Sequence, residues 1–226
     1  MDVEEKTNLY QYIKWQILDI LFPENCLGCR KRGETICDIC ILKIPEAERE
    51  TERNIIAIYD YRDPVIKKAI WNLKYYHRLN IGHMLGKLLY ENMIEEISNI
   101  KVYASGKPIC IIPTPISKAK MKSRGYNQAE VIARGFVKNC EKGLFELRND
   151  IVYKKFETKP QARISNRSAR LNNIKNTFGI HNTEIIKGRT IIIIDDVTTT
   201  GGTINEIMKI LKQSGAKKVV GFVIAH

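Results

Sequence analysis

Ile191-Ile192-Ile193-Ile194-Asp195-Asp196-Val197-Thr198-Thr199-Thr200-Gly201-Gly202-Thr203 carries four β-branched residues into two carboxylates and then into a turn of hydroxyls and glycines. A short apolar run of branched side chains suits a strand buried on both faces, as in a parallel sheet. The two acids then stand at its carboxyl end, where open α/β sheets bind ligands. Gly201 and Gly202 permit backbone conformations closed to other residues and remove the Cβ atoms that keep an anion away from peptide amides. Thr198, Thr199, Thr200 and Thr203 add hydroxyl donors. Thr203, with Glu206 three residues on, has the form of a capping box opening a helix through Ile207, Ile210 and Leu211. Lys212 falls in its last turn and Gly215 is the expected C′ residue. Val219 to Ile224 reads as the next parallel strand, which completes a βαβ unit.

The positive end of that helix faces the turn, so a phosphate monoester suits the position. Adjacent carboxylates bond neighbouring hydroxyls of a sugar, directly or through a metal. The plain alternative is a strand end followed by an ordinary turn. A Walker loop is excluded, because no Gly-Lys-Ser/Thr follows the glycines. The thirteen positions resemble the PRPP-binding motif of type I phosphoribosyltransferases: four apolar residues, two acids, a short variable piece and a Thr-Gly-x-Thr type of ending. The resemblance implies that Asp195 and Asp196 take the ribose hydroxyls and act as the catalytic pair. It gives the 5′-phosphate to the turn, so that Thr198, Thr199, Thr200, Gly201, Gly202 and Thr203 complete a candidate PRPP site, with Mg²⁺ on the pyrophosphate.

The chain of 226 residues can bury one good core and spare some length for a small appendage. A composition 44% hydrophobic and 27% charged is that of an ordered soluble protein. The apolar runs are short and soon broken by charge, so no membrane insertion is expected. Asp2, Glu4, Glu5, Lys14 and Asp19 speak against a secretory signal, which leaves a cytoplasmic location as the expectation. A net charge of +12 and a pI near 9.4 favour polyanionic partners, either phosphorylated small molecules or nucleic acid. A lysine-rich coding bias spread over a solvated surface is the bland reading of the same charge.

Residues 7 to 22 place Leu9, Tyr10, Ile13, Ile17, Leu18 and Leu21 at helical spacing, ended by Pro23. Cys26-Leu27-Gly28-Cys29 and Cys37-Asp38-Ile39-Cys40 then form two Cys-x-x-Cys pairs across a short loop. Two such knuckles, Cys26 with Cys29 and Cys37 with Cys40, complete a tetrahedral sulfur site for a structural Zn²⁺. An iron–sulfur cluster and a redox dithiol are the alternatives. Residues this few need a staple, so the metal would supply much of the local folding free energy. Cys110 and Cys140 are isolated and read as small buried residues.

Glu46 to Arg53 reads as a charged linker, and Ile55 to Tyr59 as a first strand. Pro64 suits the first turn of a helix through Ile66, Ile70 and Leu73. A second helix carries Ile81, Leu85, Leu88 and Leu89. Between them Lys74 and Arg78 are candidate contacts to a pyrophosphate or a nucleic-acid backbone, or else a solvated helix end. His77 and His83 have no pattern of a base or a ligand. Ile109 to Ile112 is a second buried strand, broken by Pro113-Thr114-Pro115, where either X-Pro bond is a candidate for the cis form. The basic loop Lys118 to Arg124, with Lys122 and Arg124 as further candidate contacts, feeds a helix from Gln128 through Phe136. Tyr75, Tyr76 and Tyr126 are candidates for base stacking or for packing. Ile151 to Tyr153 reads as one more strand. From Lys154 to Arg189 the chain is basic, and its first half, which lacks a clear period and holds Arg167 and Arg170 as candidate contacts, reads as a mobile loop or a disordered insertion.

Four pieces in this order resemble the ComF family of competence-associated proteins. They are the four cysteines at 26 to 40, Arg124-Gly125-Tyr126-Asn127-Gln128-Ala129-Glu130, the segment Gln161 to Phe178 with Arg167, Arg170 and Asn173, and the turn after Asp195 and Asp196. Ala162-Arg163-Ile164 departs from the Thr-Gly-Leu expected after Gln161. The resemblance implies an α/β chain with a zinc module over residues 1–50 and a type I phosphoribosyltransferase fold with a mainly parallel sheet over 51–226. It further implies PRPP binding with Mg²⁺, natural competence and DNA uptake, contact with single-stranded transforming DNA, and a helicase partner of the competence system. A metabolic phosphoribosyltransferase acting on a base or an amine is the alternative, and a DNA-binding module that has lost the ligand is a third. No acceptor site is legible.

Overall fold

The computed structural model describes residues 24–47, 54–155 and 176–226. The helix expected over 7–22, most of the charged linker, and the segment holding Arg167, Arg170 and Asn173 lie outside the described residues. The chain divides into two compact units, the first ending at Ile44 and the second being Pro45–His226. In the first, the peptide N–H groups of Cys26 and Leu27 donate to the carbonyls of Lys31 and Thr35 at 2.8 and 2.9 Å, folding the cysteine loop on itself. Helix α1 (Asp38–Ile41) follows directly after Cys37.

The second unit opens with β1 (Ile55–Tyr59). Asp63 caps α2 (Pro64–Tyr75), its carboxylate accepting from the amides of Val65 and Ile66 at 2.8 and 3.0 Å, while Pro64 occupies the first helical position. Helices α3 (Leu79–Asn92) and α4 (Ile94–Lys101) follow, then β2 (Ile109–Pro113). The expected basic loop is instead a helix, α5 (Lys118–Arg124), begun by the Ser117 cap and stopped by Gly125 at φ +77°. Of its seven residues only Ala119 and Met121 are apolar and they set no helical period, so only these two caps signal it. After α6 (Gln128–Lys138) come β3 (Phe145–Leu147), β4 (Val152–Lys154), β5 (Phe178–Ile180), α7 (Thr183–Ile186), β6 (Thr190–Val197), α8 (Gly202–Gln213) and β7 (Lys218–Ala225).

Five strands form one sheet in the order β1-β7-β6-β2-β3, with every pairing parallel. The strand expected at Ile151 to Tyr153 stands apart from it, β4 pairing antiparallel with β5. β6 is central and its isoleucines are fully buried, each contributing roughly 1.5–3 kcal/mol. Ile191 and Ile193 face a core with Ile204, Ile207, Met208 and Leu211 of α8 and with Val152 and Phe178. Beyond the other face, Phe136 of α6 lies 5.2 Å from Phe145 and 6.3 Å from Phe222, ring centre to ring centre. No helix of the described residues is long and apolar enough to cross a membrane.

Helices α3 and α6 meet backbone to backbone. A Cβ on Gly86 would stand 2.1 Å from the Ile132 carbonyl oxygen, and one on Gly135 would stand 2.4 Å from the His83 oxygen. Gly86→Ala therefore forces the helices apart and should cost at least about 1–3 kcal/mol, read as a lower midpoint in denaturant. An unchanged midpoint would show that this contact is not as tight as described.

Candidate functional site

β2 and β6 are neighbours, with Pro113 opposite Ile194. The chain leaves β6 through α8 toward β7 on one side, and leaves β2 through α5 and α6 toward β3 on the other. The two loops therefore diverge and open a crevice at the carboxyl ends of the central strands. Its β2 side is held by the Thr114 N–H donating to the Ile194 carbonyl at 2.9 Å and by Asn127 Nδ2 donating to the Thr114 carbonyl at 3.0 Å. The Pro113-Thr114-Pro115 loop borders this crevice with both X-Pro bonds trans.

On the β6 side lies a cavity of about 80 Å³ lined by Asp195, Val197 and the whole run from Thr198 to Ile204. Thr198 shapes it: its N–H donates to the Ala225 carbonyl at 3.0 Å, and its buried hydroxyl accepts from the Gly201 N–H at 3.1 Å. Gly201 sits at φ +68° and is itself the cap residue of α8. That corrects the expected capping box, because Thr203 lies inside the first turn and makes no cap. The left-handed residue turns the chain into the helix one step earlier, and the Glu206 carboxylate accepts instead from the Asn176 amide at 2.8 Å. A helix cannot satisfy its first-turn amides internally, and Gly202, Thr203 and Ile204, which carry them, line the cavity. Gly215, at φ +93°, ends α8 as expected.

Side chains alternate along a strand, so the two acids point to opposite faces. Asp195 lines the cavity on the α8 side. Asp196 faces the other helices, where its Oδ2 is ion-paired with Lys74 Nζ from the last turn of α2 and its Oδ1 accepts from Gln128 Nε2 at 3.5 Å. Both carboxylates are buried. Burial, and after it the neighbouring Asp196 charge, push the Asp195 carboxyl well above the usual carboxylate range. Burial works the same way on Asp196, but the Lys74 ammonium and the hydrogen bonds around it hold that carboxyl below the usual range. Burial likewise opposes the Lys74 charge, and the Asp196 carboxylate more than restores it.

Of the other sequence-selected cations, Lys74 is drawn into the site rather than left on a solvated helix end. Arg78 stands at the cap of α3, and Lys122 is exposed on α5. The Arg124 guanidinium donates to Gln128 Oε1 and lies 5.6 Å from the Tyr75 ring. Gln128, which the sequence marks only as a helix start and as part of the Arg124–Glu130 segment, reaches Asp196 as well. It lies four residues after Arg124, and nothing local in the sequence pairs it with Asp196.

In the other unit the sulfurs of Cys26, Cys29, Cys37 and Cys40 all lie within 4.8 Å of one another. Cys37 stands 3.7 Å from Cys26 and 3.5 Å from Cys29. Tetrahedral sulfurs at the usual Zn–S length stand about 3.8 Å apart, so the cluster is compatible with a structural Zn²⁺. Burial disfavours a Cys26 thiolate, yet the amides of Cys37, Cys29 and Gly28 lower its pKa to about 6. Burial among the other sulfurs pushes Cys40 up to about 12. A cation between the sulfurs would favour the thiolate form of all four.

The raised Asp195 carboxyl has a consequence for stability. An acid whose folded pKa lies above its unfolded value costs nothing below the unfolded value, about 3.9, and costs increasingly as pH rises toward the folded one. Asp195→Asn should raise the melting temperature at pH 7, and the gain should shrink on acidification and vanish below about pH 4. Thermal melts of both proteins across that range decide it, and a gain that grows toward low pH would contradict the buried geometry.

Residues 121–226, which contain both acids and the whole cavity lining, match the phosphoribosyl transferase domain family. The chain is 30% identical to competence protein ComFC of Streptococcus pneumoniae over 88% of its own length and 79% of that protein. It is 27% identical to competence protein F of Haemophilus influenzae over 86% of each, and 28% identical to the DNA utilization protein YhgH of Shigella flexneri over 81% of its own length and 74% of the relative. The chain belongs to the ComF family of competence-related proteins, with a phosphoribosyltransferase-like α/β domain.

Proposed function

We propose that the protein binds PRPP with Mg²⁺ in the crevice at the end of β6 and serves natural competence in the cytoplasm, handling single-stranded transforming DNA. The observation that carries the ligand is the cavity whose wall runs unbroken from Thr198 to Ile204 and includes Asp195. The 5′-phosphate falls to the first-turn amides of α8 and to the hydroxyls of Thr199, Thr200 and Thr203. Asp195 and Asp196 take the ribose hydroxyls, and Lys74 offers its charge toward the pyrophosphate. Carboxylate and hydroxyl oxygens are hard donors that fit Mg²⁺, which neutralises the pyrophosphate when bound. Loss of pyrophosphate from C1 would leave an oxocarbenium-like centre beside these acids. The DNA part of the reading rests on the net charge of +12 and on the competence and DNA utilization relatives. A helicase partner belongs to the same reading through the family.

Calorimetric titration of PRPP with Mg²⁺ tests the ligand. Wild type should give a saturable heat, and a double Asp195→Ala, Asp196→Ala variant of normal fold should lose at least tenfold in affinity. Equal heats from the two proteins would move the site elsewhere.

Zn²⁺ in the four-cysteine unit completes the proposal. Metal analysis of purified protein should find about one zinc per chain, and Cys26→Ser with Cys37→Ser should lower it to near zero. Iron with visible absorption, or a protein fully folded without metal, would replace zinc with one of the other readings.

A further inference from the structure

Helix α2 carries large aromatic side chains to the surface beside the site. Trp71 is 57% exposed, Tyr75 55% and Tyr76 65%. Trp71 and Tyr75 stand one turn apart on the same helix face, ring centres 4.4 Å from each other. The Arg124 guanidinium lies 5.6 Å from the Tyr75 ring. Tyr126, whose hydroxyl donates to the Leu73 carbonyl, pins the segment after α5 to the end of α2. Two segments far apart in the chain thus form one face.

The two segments that meet there are basic and carry no acid. From Pro64 to Tyr90 the sequence holds five Lys or Arg and no Asp or Glu, and from Ile109 to Ala129 it holds four and none. Lys118, Lys120 and Lys122 are exposed on α5. Aromatic planes set among cations are what a single strand of nucleic acid recognises: unpaired bases stack on the rings while the phosphates lie on the ammonium groups. A duplex hides its base faces and would leave the rings unused, and an apolar protein partner would have to desolvate a dense row of lysines.

We propose that Trp71 and Tyr75 form a base-stacking platform for single-stranded nucleic acid, with Arg124 and the α5 lysines on its phosphates. The proposal deepens the DNA part of the function above and rests on it, and is independent of the sugar-phosphate part. The platform adjoins the ligand crevice. Tyr75 follows Lys74, which is paired with Asp196, and Arg124 bonds Gln128, which donates to the same carboxylate. A bound strand therefore passes the mouth of that crevice.

The test uses full-length protein with Trp15→Phe, which leaves Trp71 as its single tryptophan. In free protein Trp71 emission should be readily quenched by acrylamide. An oligodeoxythymidylate should quench the emission itself and shield the ring from acrylamide, with affinity falling steeply as salt rises. In otherwise wild-type protein, Trp71→Ala and Tyr75→Ala should each weaken oligonucleotide binding about tenfold. Trp71→Ala should leave the heat of PRPP binding unchanged. A blunt duplex, or an abasic strand of equal length, should bind more weakly than the oligothymidylate. Wild type that binds no oligonucleotide overturns both this platform and the DNA reading. Binding that neither quenches Trp71 nor responds to the alanine variants overturns the platform alone and leaves DNA on another surface. A Trp71 already shielded before any DNA is added gives the face to another segment of the chain or to a protein partner, and overturns it as well.

Discussion

Burying an ionised carboxylate costs several kcal/mol unless a partner compensates it, and β6 buries two in succession. The rest of the site is arranged around that cost. Strand alternation sends Asp196 toward α2 and α6, where Lys74 and Gln128 meet it. It sends Asp195 toward the cavity, where burial and the neighbouring charge favour the protonated form. The two carboxyls are therefore pushed in opposite directions although they are adjacent and chemically identical. Within the fold Asp195 Oδ1 accepts from the Asp196 N–H at 2.8 Å, and the proposed ligand, with its hydroxyls and cation, would add partners to the same carboxyl. Stability given up at such a position is a common mark of a binding site.

The sheet makes this arrangement possible by placing β6 between two neighbours, so that four isoleucines anchor the strand and its end cannot drift. The close approach of α3 to α6 matters for the same reason. Helix α6 begins at Gln128, and the α3 backbone lies against its middle at Ile132 and Gly135. The position of Gln128 beside Asp196 therefore depends on glycines some distance from the site. The four cysteines lie in a separate compact unit, and their clustered sulfurs are compatible with a structural Zn²⁺.

Much of this was legible in the chain itself. The run from Ile191 to Thr203 showed strand, acids and turn because a continuous apolar stretch, two carboxylates and two glycines are local signals. The knuckle spacing was legible for the same reason. The cap of α8 was misplaced by two residues, since a Thr-x-x-Glu pattern and a left-handed glycine compete and only the three-dimensional turn decides. Strand β3 was not foreseen, because three residues with Glu146 in the middle carry no readable period. The pairing of Lys74 with Asp196 and the joining of Tyr75 to Arg124 are contacts between distant parts of the chain, and no local pattern encodes them.

In the proposed function, peptide amides at the start of α8 grip a phosphate while the acids before them hold its sugar. Amide chemical shifts recorded while ribose 5-phosphate is added test this most directly. The largest shifts should fall on Thr200 to Ile204, with smaller ones at Asp195 and Asp196. Shifts concentrated at the opposite end of the sheet, with the amides of Gly201 to Ile204 unmoved, would contradict it.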